Sequence, residues 1–274
     1  MSRVGPVLRW ALLGLAVVVA LFPFYWMLNT ALKPAAEVMR APPSFISPNW
    51  SLDGFRTVLS ERPVLRWFAN SMIVALGSTA IATSLAVLAA YGLTRFYMRS
   101  AGAILVLLLF AKMLPETLLV IPYFQMMSEL GLIDTHLALI LVYSSYSTPF
   151  AVWMLVGFFR SIPREIDEAA MVDGASRLTA LRVVILPMAR PGLVAAALFT
   201  FLVAWNAYVW ALVLTTTAGH AVMSLGVASM IGEYRVQWNE LMAAALIATM
   251  PVVGLYAFLD RHLVSGLTAG AVKG

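Results

Sequence analysis

The chain has 274 residues and no cysteine, 62% of its residues are hydrophobic, and only 11% are charged. Soluble domains are about 45–50% apolar and about 25% charged, so the composition excludes an ordinary soluble fold as well as a disordered chain. The absence of cysteine excludes disulfides and Cys-based metal sites, and three scattered histidines argue against a His-based one. The sequence therefore predicts an integral membrane protein. Its net charge of +5 fits basic cytoplasmic loops better than a nucleic-acid partner.

Six apolar segments approach or exceed the roughly 20 residues that a membrane-crossing helix needs. In chain order they are Trp10–Leu32, Ala69–Thr94, Ala101–Phe124, Leu137–Phe159, Pro191–Leu214 and Leu241–Leu259. The first segment is longer than the apolar core of a signal peptide, which is about 7–15 residues, so we expect it to be retained. The expected fold is all-α: a polytopic membrane protein with one transmembrane domain over residues 1–274.

The basic residues orient these spans. With the N-terminus inside, eleven Lys and Arg residues fall in inner segments and six fall in outer segments. Cytoplasmic loops are enriched in Lys and Arg, so the distribution favours cytoplasmic N- and C-termini. Residues 160–190 and the tail, 260–274, are then cytoplasmic, and residues 33–68 and 215–240 form outer loops.

The inner loop over residues 160–190 carries the most specific signals. Ser161 is a candidate N-cap for an acidic helix, and Gly174 is expected to end that helix, because glycine accepts the left-handed conformation. Ser176 is a candidate N-cap for a second helix, which Pro187 closes or kinks. A short acidic helix with alanines at its crest fits a groove in a partner protein. The alternative is an amphipathic segment that lies on the lipid headgroups.

The run Glu-Ala-Ala-x-x-Asp-Gly-Ala resembles the EAA loop of permeases in binding-protein-dependent ABC importers. The matching residues are Glu168, Ala169, Ala170, Asp173, Gly174, Ala175 and Pro187. Further similar segments are Pro23–Trp26 and Leu32–Pro34 in the first span, Leu114–Pro115 and Ile121–Tyr123 in the third, Trp205–Asn206 in the fifth, and the ending Gly266–Gly274. The ending resembles the carbohydrate branch, and the whole chain is similar to the smaller permease of maltose-type sugar importers.

This resemblance implies a subunit of a bacterial inner-membrane complex. Its partners would be a second permease, two copies of an ATP-binding subunit, an extracytoplasmic sugar-binding protein and membrane lipid, with no nucleic acid. Residues 168–175 would dock on the ATP-binding subunit as a coupling helix, and Gly270, Lys273 and Gly274 in the tail would contact the same subunit. The outer loop over residues 215–240 would meet the binding protein.

The chain itself is not expected to be an enzyme. It contains no G-x-x-x-x-G-K-[ST] run, so ATP and Mg²⁺ are assigned to the partner ATPase, and no cofactor or metal is assigned to this chain.

Polar residues within spans are functional candidates, because polar groups are costly in lipid. Lys112 and Glu116 are four residues apart in the third span, where one helix face can hold both as an intramembrane ion pair. Asn206, with Trp205 and Tyr208, is a candidate substrate path, since amides and aromatic faces suit sugars. Interhelical hydrogen bonding and interface anchoring explain these three residues equally well.

Two other classes of protein compete with the importer permease. A secondary, ion-coupled transporter would use the Lys112/Glu116 pair as its coupling site, although the halves of the chain show no internal repeat. An intramembrane enzyme is the weakest alternative, because no H-E-x-x-H or G-x-S-x-G motif is present. The sequence does not name the sugar.

Overall fold

The computed structural model describes residues 4–232 and 236–271, with side chains described over 8–232 and 236–258. Within these ranges the regular structure is helical, apart from one isolated β-bridge between Ile231 and Val236. The helices are α1 (Val4–Ala31), α2 (Ala35–Val38), α3 (Asp53–Ser60), α4 (Val64–Arg95), α5 (Ala101–Met113), α6 (Glu116–Glu129), α7 (His136–Arg160), α8 (Arg164–Val172), α9 (Arg177–Ala180), α10 (Leu186–Met188), α11 (Arg190–Asn206), α12 (Val209–Leu214), α13 (Met223–Ser229) and α14 (Trp238–Ala271). The predicted all-α class is confirmed.

Among the described residues, four continuous helical segments are long and apolar enough to cross a membrane. They are Leu8–Ala31, Val64–Arg95, His136–Arg160 and Trp238–Phe258, which correspond to the first, second, fourth and sixth predicted spans. Two further helix pairs meet the same criterion only when both helices of a pair are counted as one bent span, which would bring the total to six.

The third predicted span is broken rather than straight. Helices α5 and α6 meet at 96°, with Leu114 extended and Pro115 as the N-cap of α6. Proline has no N–H to donate and disfavours helical dihedrals in the residue before it, which explains a break at this position. A continuous helix over residues 101–124 is therefore wrong.

The fifth predicted span is also discontinuous. Helix α11 ends at Asn206, Ala207 is extended, and α12 begins at Val209. The Ala207 carbonyl accepts hydrogen bonds from Ser224 Oγ at 2.7 Å and Tyr143 OH at 3.5 Å. Irregular backbone at membrane depth requires such partners, because lipid offers none.

Residues 66–225 and 251–271 form one compact unit with two hydrophobic clusters. The first cluster gathers around the C-terminal half of α7 and the second around its N-terminal half. The largest fully buried side chains of the first cluster are Phe159, Leu155 and Ile185, and those of the second are Trp210, Tyr143, Met127, Leu139, Leu214 and Val74. Helix α7 is thus the central element of this unit, and half of its most apolar 18 residues are buried.

Residues 4–65, 226–232 and 236–250 form the second compact unit. Its loop is organised by Lys33, which is 3% exposed, donates to the Ser44 carbonyl at 2.6 Å and lies over the Trp26 ring. Glu37 accepts hydrogen bonds from Asn49 Nδ2 at 2.6 Å and Ser47 Oγ at 2.8 Å. In contrast, none of the most apolar 18 residues of α1 is buried within the chain, so this surface is left for lipid or another subunit.

Helices α7 and α11 approach closely at Gly192. A Cβ atom added there would lie 2.4 Å from the Cγ and Cδ2 atoms of the Phe158 ring. We expect Gly192→Ala to lower the free energy of unfolding by about 1–3 kcal/mol, because overpacking displaces the half-buried Phe158 ring. Thermal unfolding in detergent measures the change. Gly157→Ala on α7 is the control, since nothing lies within 4 Å of its added Cβ, and equal losses in both variants would contradict the prediction.

Candidate functional site

Helix α8 carries most of the Glu-Ala-Ala motif and begins directly after a proline. Its N-cap is Pro163, and no side chain caps it. The expectation that Ser161 caps this helix is wrong, because Ser161 Oγ donates to the Phe158 carbonyl at 2.7 Å and closes the end of α7 instead. Ser161 follows a helix as closely as it precedes one, and the sequence does not distinguish the two positions.

The end of α8 follows the predicted chemistry. Gly174 has a φ of +88°, in the left-handed region, and the Ala175 N–H bonds to the Ala170 carbonyl at 3.0 Å. This six-residue closure is typical of a helix end that requires glycine. Ser176 then caps α9 by accepting from the Thr179 N–H at 3.2 Å, as predicted.

The motif residues present a surface. Glu168, Ala169 and Asp173 are exposed, Ala170 is half-buried, and Val172 beside them is 88% exposed. The two alanines leave low relief beside the acidic side chains. The helix therefore offers a small, acidic and closely approachable face.

The opposite face of α8 is attached to the end of α4. Asp167 forms a buried ion pair with Arg95, and each of these side chains is 5% exposed. Arg95 also donates to the Ile162 carbonyl at 3.1 Å, and Arg164 donates to the Thr94 carbonyl at 2.6 Å. Sequence reasoning missed Arg95, whose only signal is a charge at the end of a span. It also did not single out Asp167 within the predicted acidic helix.

Pro187 lies in an irregular helical connection to α11. Residues Leu181–Ile185 form a π-helical turn, α10 follows, and the segment up to Met188 meets α11 at 83°. π-Turns are rare and mark local departures from the α-helical register. The predicted closing or kinking at Pro187 thus coincides with the bend.

Of the three predicted contact residues in the tail, only Gly270 is described, by its backbone within α14. Lys273 and Gly274 lie outside the described residues, so the predicted ATPase contact of this tail stays a prediction.

The three candidate path residues in the fifth span have different environments. Asn206 is exposed and its Nδ2 donates to the Leu202 carbonyl of its own helix at 2.9 Å, while Tyr208 is 39% exposed. Trp205 is 4% exposed and stacks on Phe201 with ring centroids 5.7 Å apart. Of the three side chains, only those of Asn206 and Tyr208 are exposed, and the role of all three in a substrate path stays a prediction.

Lys112 and Glu116 do not form the expected ion pair. The break at Pro115 places them on different helices, and no carboxylate oxygen of a described side chain lies within 4.0 Å of Lys112 Nζ. The ammonium group lies over the Tyr146 ring instead, 3.1 Å from its centroid. The shared helix face was inferred from four-residue spacing, which holds only for an unbroken helix.

A polar cluster at the other end of the unit was not anticipated. Asp134, with a φ of +61°, accepts from the Thr216 and Thr217 N–H groups, both at 3.0 Å, and from Thr217 Oγ1 at 2.7 Å. His220 Nδ1 lies 3.5 Å from the same carboxylate. Burial raises the pKa of Asp134, but hydrogen bonds from Thr217 and Thr216 outweigh it and lower the pKa to about 2. The cluster fastens the first residues after α12 to the turn before α7.

Among the residues with described side chains, no group of three His, Asp or Glu residues is arranged to hold a metal ion.

Comparisons with known proteins identify the class. The family described as "Binding-protein-dependent transport system inner membrane component" matches residues 2–268. The chain belongs to this family and is therefore a multi-pass inner-membrane transport component.

Individual relatives agree over nearly their whole length. The inner membrane ABC transporter permease protein YcjP of Escherichia coli is 35% identical, covering 100% of this chain and 98% of the relative. The trehalose/maltose transport system permease protein MalG of Thermococcus litoralis is 34% identical, covering 95% and 94%. A crystal structure of a bacterial ABC transporter that imports the acidic polysaccharide alginate shares the fold, with a TM-score of 0.82 and 22% identity over 95% of this chain and 98% of that one.

These findings confirm the resemblance to sugar importer permeases that rested on the EAA pattern. They give no support to the secondary transporter, whose proposed ion pair is also missing from the structure.

The Asp134 cluster generates a pH prediction. Because the pKa of Asp134 is depressed, its stabilising contribution is complete above about pH 4 and is lost as the pH falls through about 2. We expect Asp134→Ala to remove it at neutral pH and speed amide hydrogen exchange at Thr216 and Thr217 about tenfold or more. Asp134→Asn is the control, since it keeps an acceptor and tolerates the left-handed backbone. Exchange rates unchanged in the Ala variant would contradict the role of the carboxylate.

Proposed function

We propose that this chain is one of two permease subunits of an ATP-driven importer and that it passes carbohydrate, delivered by an extracytoplasmic binding protein, into the cytoplasm. The observation that carries the proposal is the α8 surface: an exposed acidic and alanine face, ended by the left-handed Gly174 and fastened to a membrane-spanning helix. Membership of the binding-protein-dependent family over residues 2–268 supports it.

The energy source is assigned to a partner. The chain has no phosphate-binding Gly-rich run, so ATP and Mg²⁺ bind the ATPase subunits, of which we propose two copies. Closing of those subunits on ATP moves α8, and the two states of the spans differ in which side of the membrane the path faces.

Carbohydrate is the proposed cargo because trehalose and maltose name the transport system of a relative 34% identical over nearly the whole chain. The exposed amide of Asn206 and the exposed ring of Tyr208 are groups that bind sugar hydroxyls and C–H faces.

The α8 face is proposed to lie in the cytoplasm, with both termini. A cysteine-free chain allows single-cysteine labelling to test this orientation. We expect Val172→Cys, 88% exposed, to react with an impermeant maleimide only in inside-out vesicles. Met39→Cys, 78% exposed, should react only in right-side-out vesicles. The reverse pattern would invert the topology.

The docking role of α8 is tested by purifying the tagged chain gently from its native membrane. We expect a second permease and an ATPase to co-purify with the wild type. Glu168→Lys reverses a charge on the exposed face, so co-purified ATPase should fall at least about tenfold, a loss of about 1.4 kcal/mol in binding. Retention of ATPase and of uptake by this variant would contradict docking through α8.

The turn after α8 is tested with a matched pair of glycines. Gly174→Val places a β-branched residue at a φ of +88°, which costs about 1–3 kcal/mol of backbone strain and is expected to uncouple ATP hydrolysis from uptake. Gly131→Val imposes comparable strain at a φ of +65° in the turn after α6. If uptake per inserted protein falls in the Gly174 variant and not in the Gly131 variant, the turn after α8 has a role in coupling. Equal losses in both variants would show that the strain only impairs folding.

A further inference from the structure

The inner loop is fastened to the last turns of α4 at several points. For α8, the contacts are the buried Arg95–Asp167 ion pair, the hydrogen bond from Arg95 to the Ile162 carbonyl and the one from Arg164 to the Thr94 carbonyl. For α9, Tyr91 OH donates to the Arg177 carbonyl at 3.3 Å. The Arg177 guanidinium also lies 4.8 Å from the centroid of the Phe96 ring. Residues 91–96 of α4 and the turn after it therefore hold both halves of the loop.

Because the ion pair is buried, it is the contact that tolerates displacement of the two helices least. A buried pair adds little net stability, because both charges lose their hydration, but separating the partners leaves a charge uncompensated in the interior. Of the described carboxylate groups, only that of Asp167 is within ion-pair distance of Arg95, and apart from this ion pair neither oxygen of Asp167 has a hydrogen-bond partner. Any sliding of α8 along α4 would therefore strand both charges.

The opposite end of α4 is fastened to residues 219–223, in the predicted outer loop that follows α12. Asn70 Nδ2 donates to the Gly219 carbonyl at 2.9 Å and to the Ala221 carbonyl at 2.8 Å. Ser71 Oγ accepts from the Met223 N–H at 2.7 Å. Asn70 and Ser71 are both buried, and the helix between them and Thr94 is unbroken, with a length of about 35 Å at 1.5 Å per residue.

We propose that Arg95 is a positioning residue that makes α8 and α4 one moving body, so that displacement of α8 is delivered through α4 to the segment Gly219–Met223. The inference rests on the proposed docking of α8 on the ATPase. It assigns the transmission to the second membrane-spanning helix, which is not joined to α8 along the chain. Helix α11, which follows along the chain, is less suited to this role, because its connection to α8 contains a π-helical turn and an 83° bend.

The test uses the complete transporter in proteoliposomes, with ATP hydrolysis and uptake measured on the same preparation. In Arg95→Met we expect the ATPase still to co-purify and uptake per ATP hydrolysed to fall at least about tenfold. The matched control is Arg99→Met, an exposed arginine four residues further along, which should keep the wild-type ratio.

A second variant separates transmission from folding. Arg95→Ala/Asp167→Ala removes both charges together, so neither is stranded, and leaves no side chain to replace the contact. The same loss of coupling is expected. A wild-type ratio of uptake to hydrolysis in this variant would overturn the proposal, as would loss of ATPase binding in Arg95→Met, because Arg95 would then shape the docking face itself.

A third readout observes the far end of α4 directly. Ala218 is exposed next to the fastened segment, so we expect the labelling rate of Ala218→Cys to change when ATP binds and to stay constant in the Arg95→Met background. An ATP-induced change that persists without Arg95 would overturn the inference while leaving the proposed function intact. Failure of any ATPase to co-purify with the wild type would instead overturn the proposed function.

Discussion

The structure depends on the requirement that backbone polar groups in a lipid environment find partners within the protein. Continuous helices meet this requirement by themselves, but the chain breaks twice where the sequence is apolar enough to span. At Ala207 the carbonyl accepts hydrogen bonds from Ser224 and Tyr143, so side chains of other segments replace the missing helical bond. At Pro115 no donor is left without a partner, because proline has no backbone N–H. The breaks are therefore places where other elements must be held close, and they fix the packing of α6, α7 and α12.

The sequence was sufficient for the parts of the fold that depend on composition. Apolar length identified the four continuous spans, and glycine and serine chemistry identified the turn at Gly174 and the cap at Ser176. It was insufficient where two elements compete for one residue or where a break changes direction. Ser161 closes α7 rather than opening α8, and the 96° bend at Pro115 removes the spacing argument that linked Lys112 to Glu116.

The candidate site divides in the same way. Its exposed half, from Glu168 to Ala175, is a contiguous motif and could be read directly. Its buried half joins Asp167 to Arg95, which is 72 positions away in the sequence, so only the tertiary structure brings the pair together. The Asp134 cluster likewise combines residues about 80 apart. Polar pairs that are distant in the sequence leave no local pattern, whereas the exposed surface that such a pair supports is a contiguous sequence motif.

Uneven burial of the spans has a consequence for how this chain tolerates change over evolutionary time. In the most apolar 18 residues of α1 no residue is buried within the chain, whereas half of the corresponding residues of α7 are buried. Where α1 borders lipid, it is constrained mainly in composition, so exchanges among Leu, Val, Ala and Phe are nearly neutral there. Helix α7 is constrained in shape, because its side chains fill defined spaces beside Gly77 and Gly192. Among related chains, substitutions should therefore accumulate faster in α1, while the sequence of α7 should stay more similar.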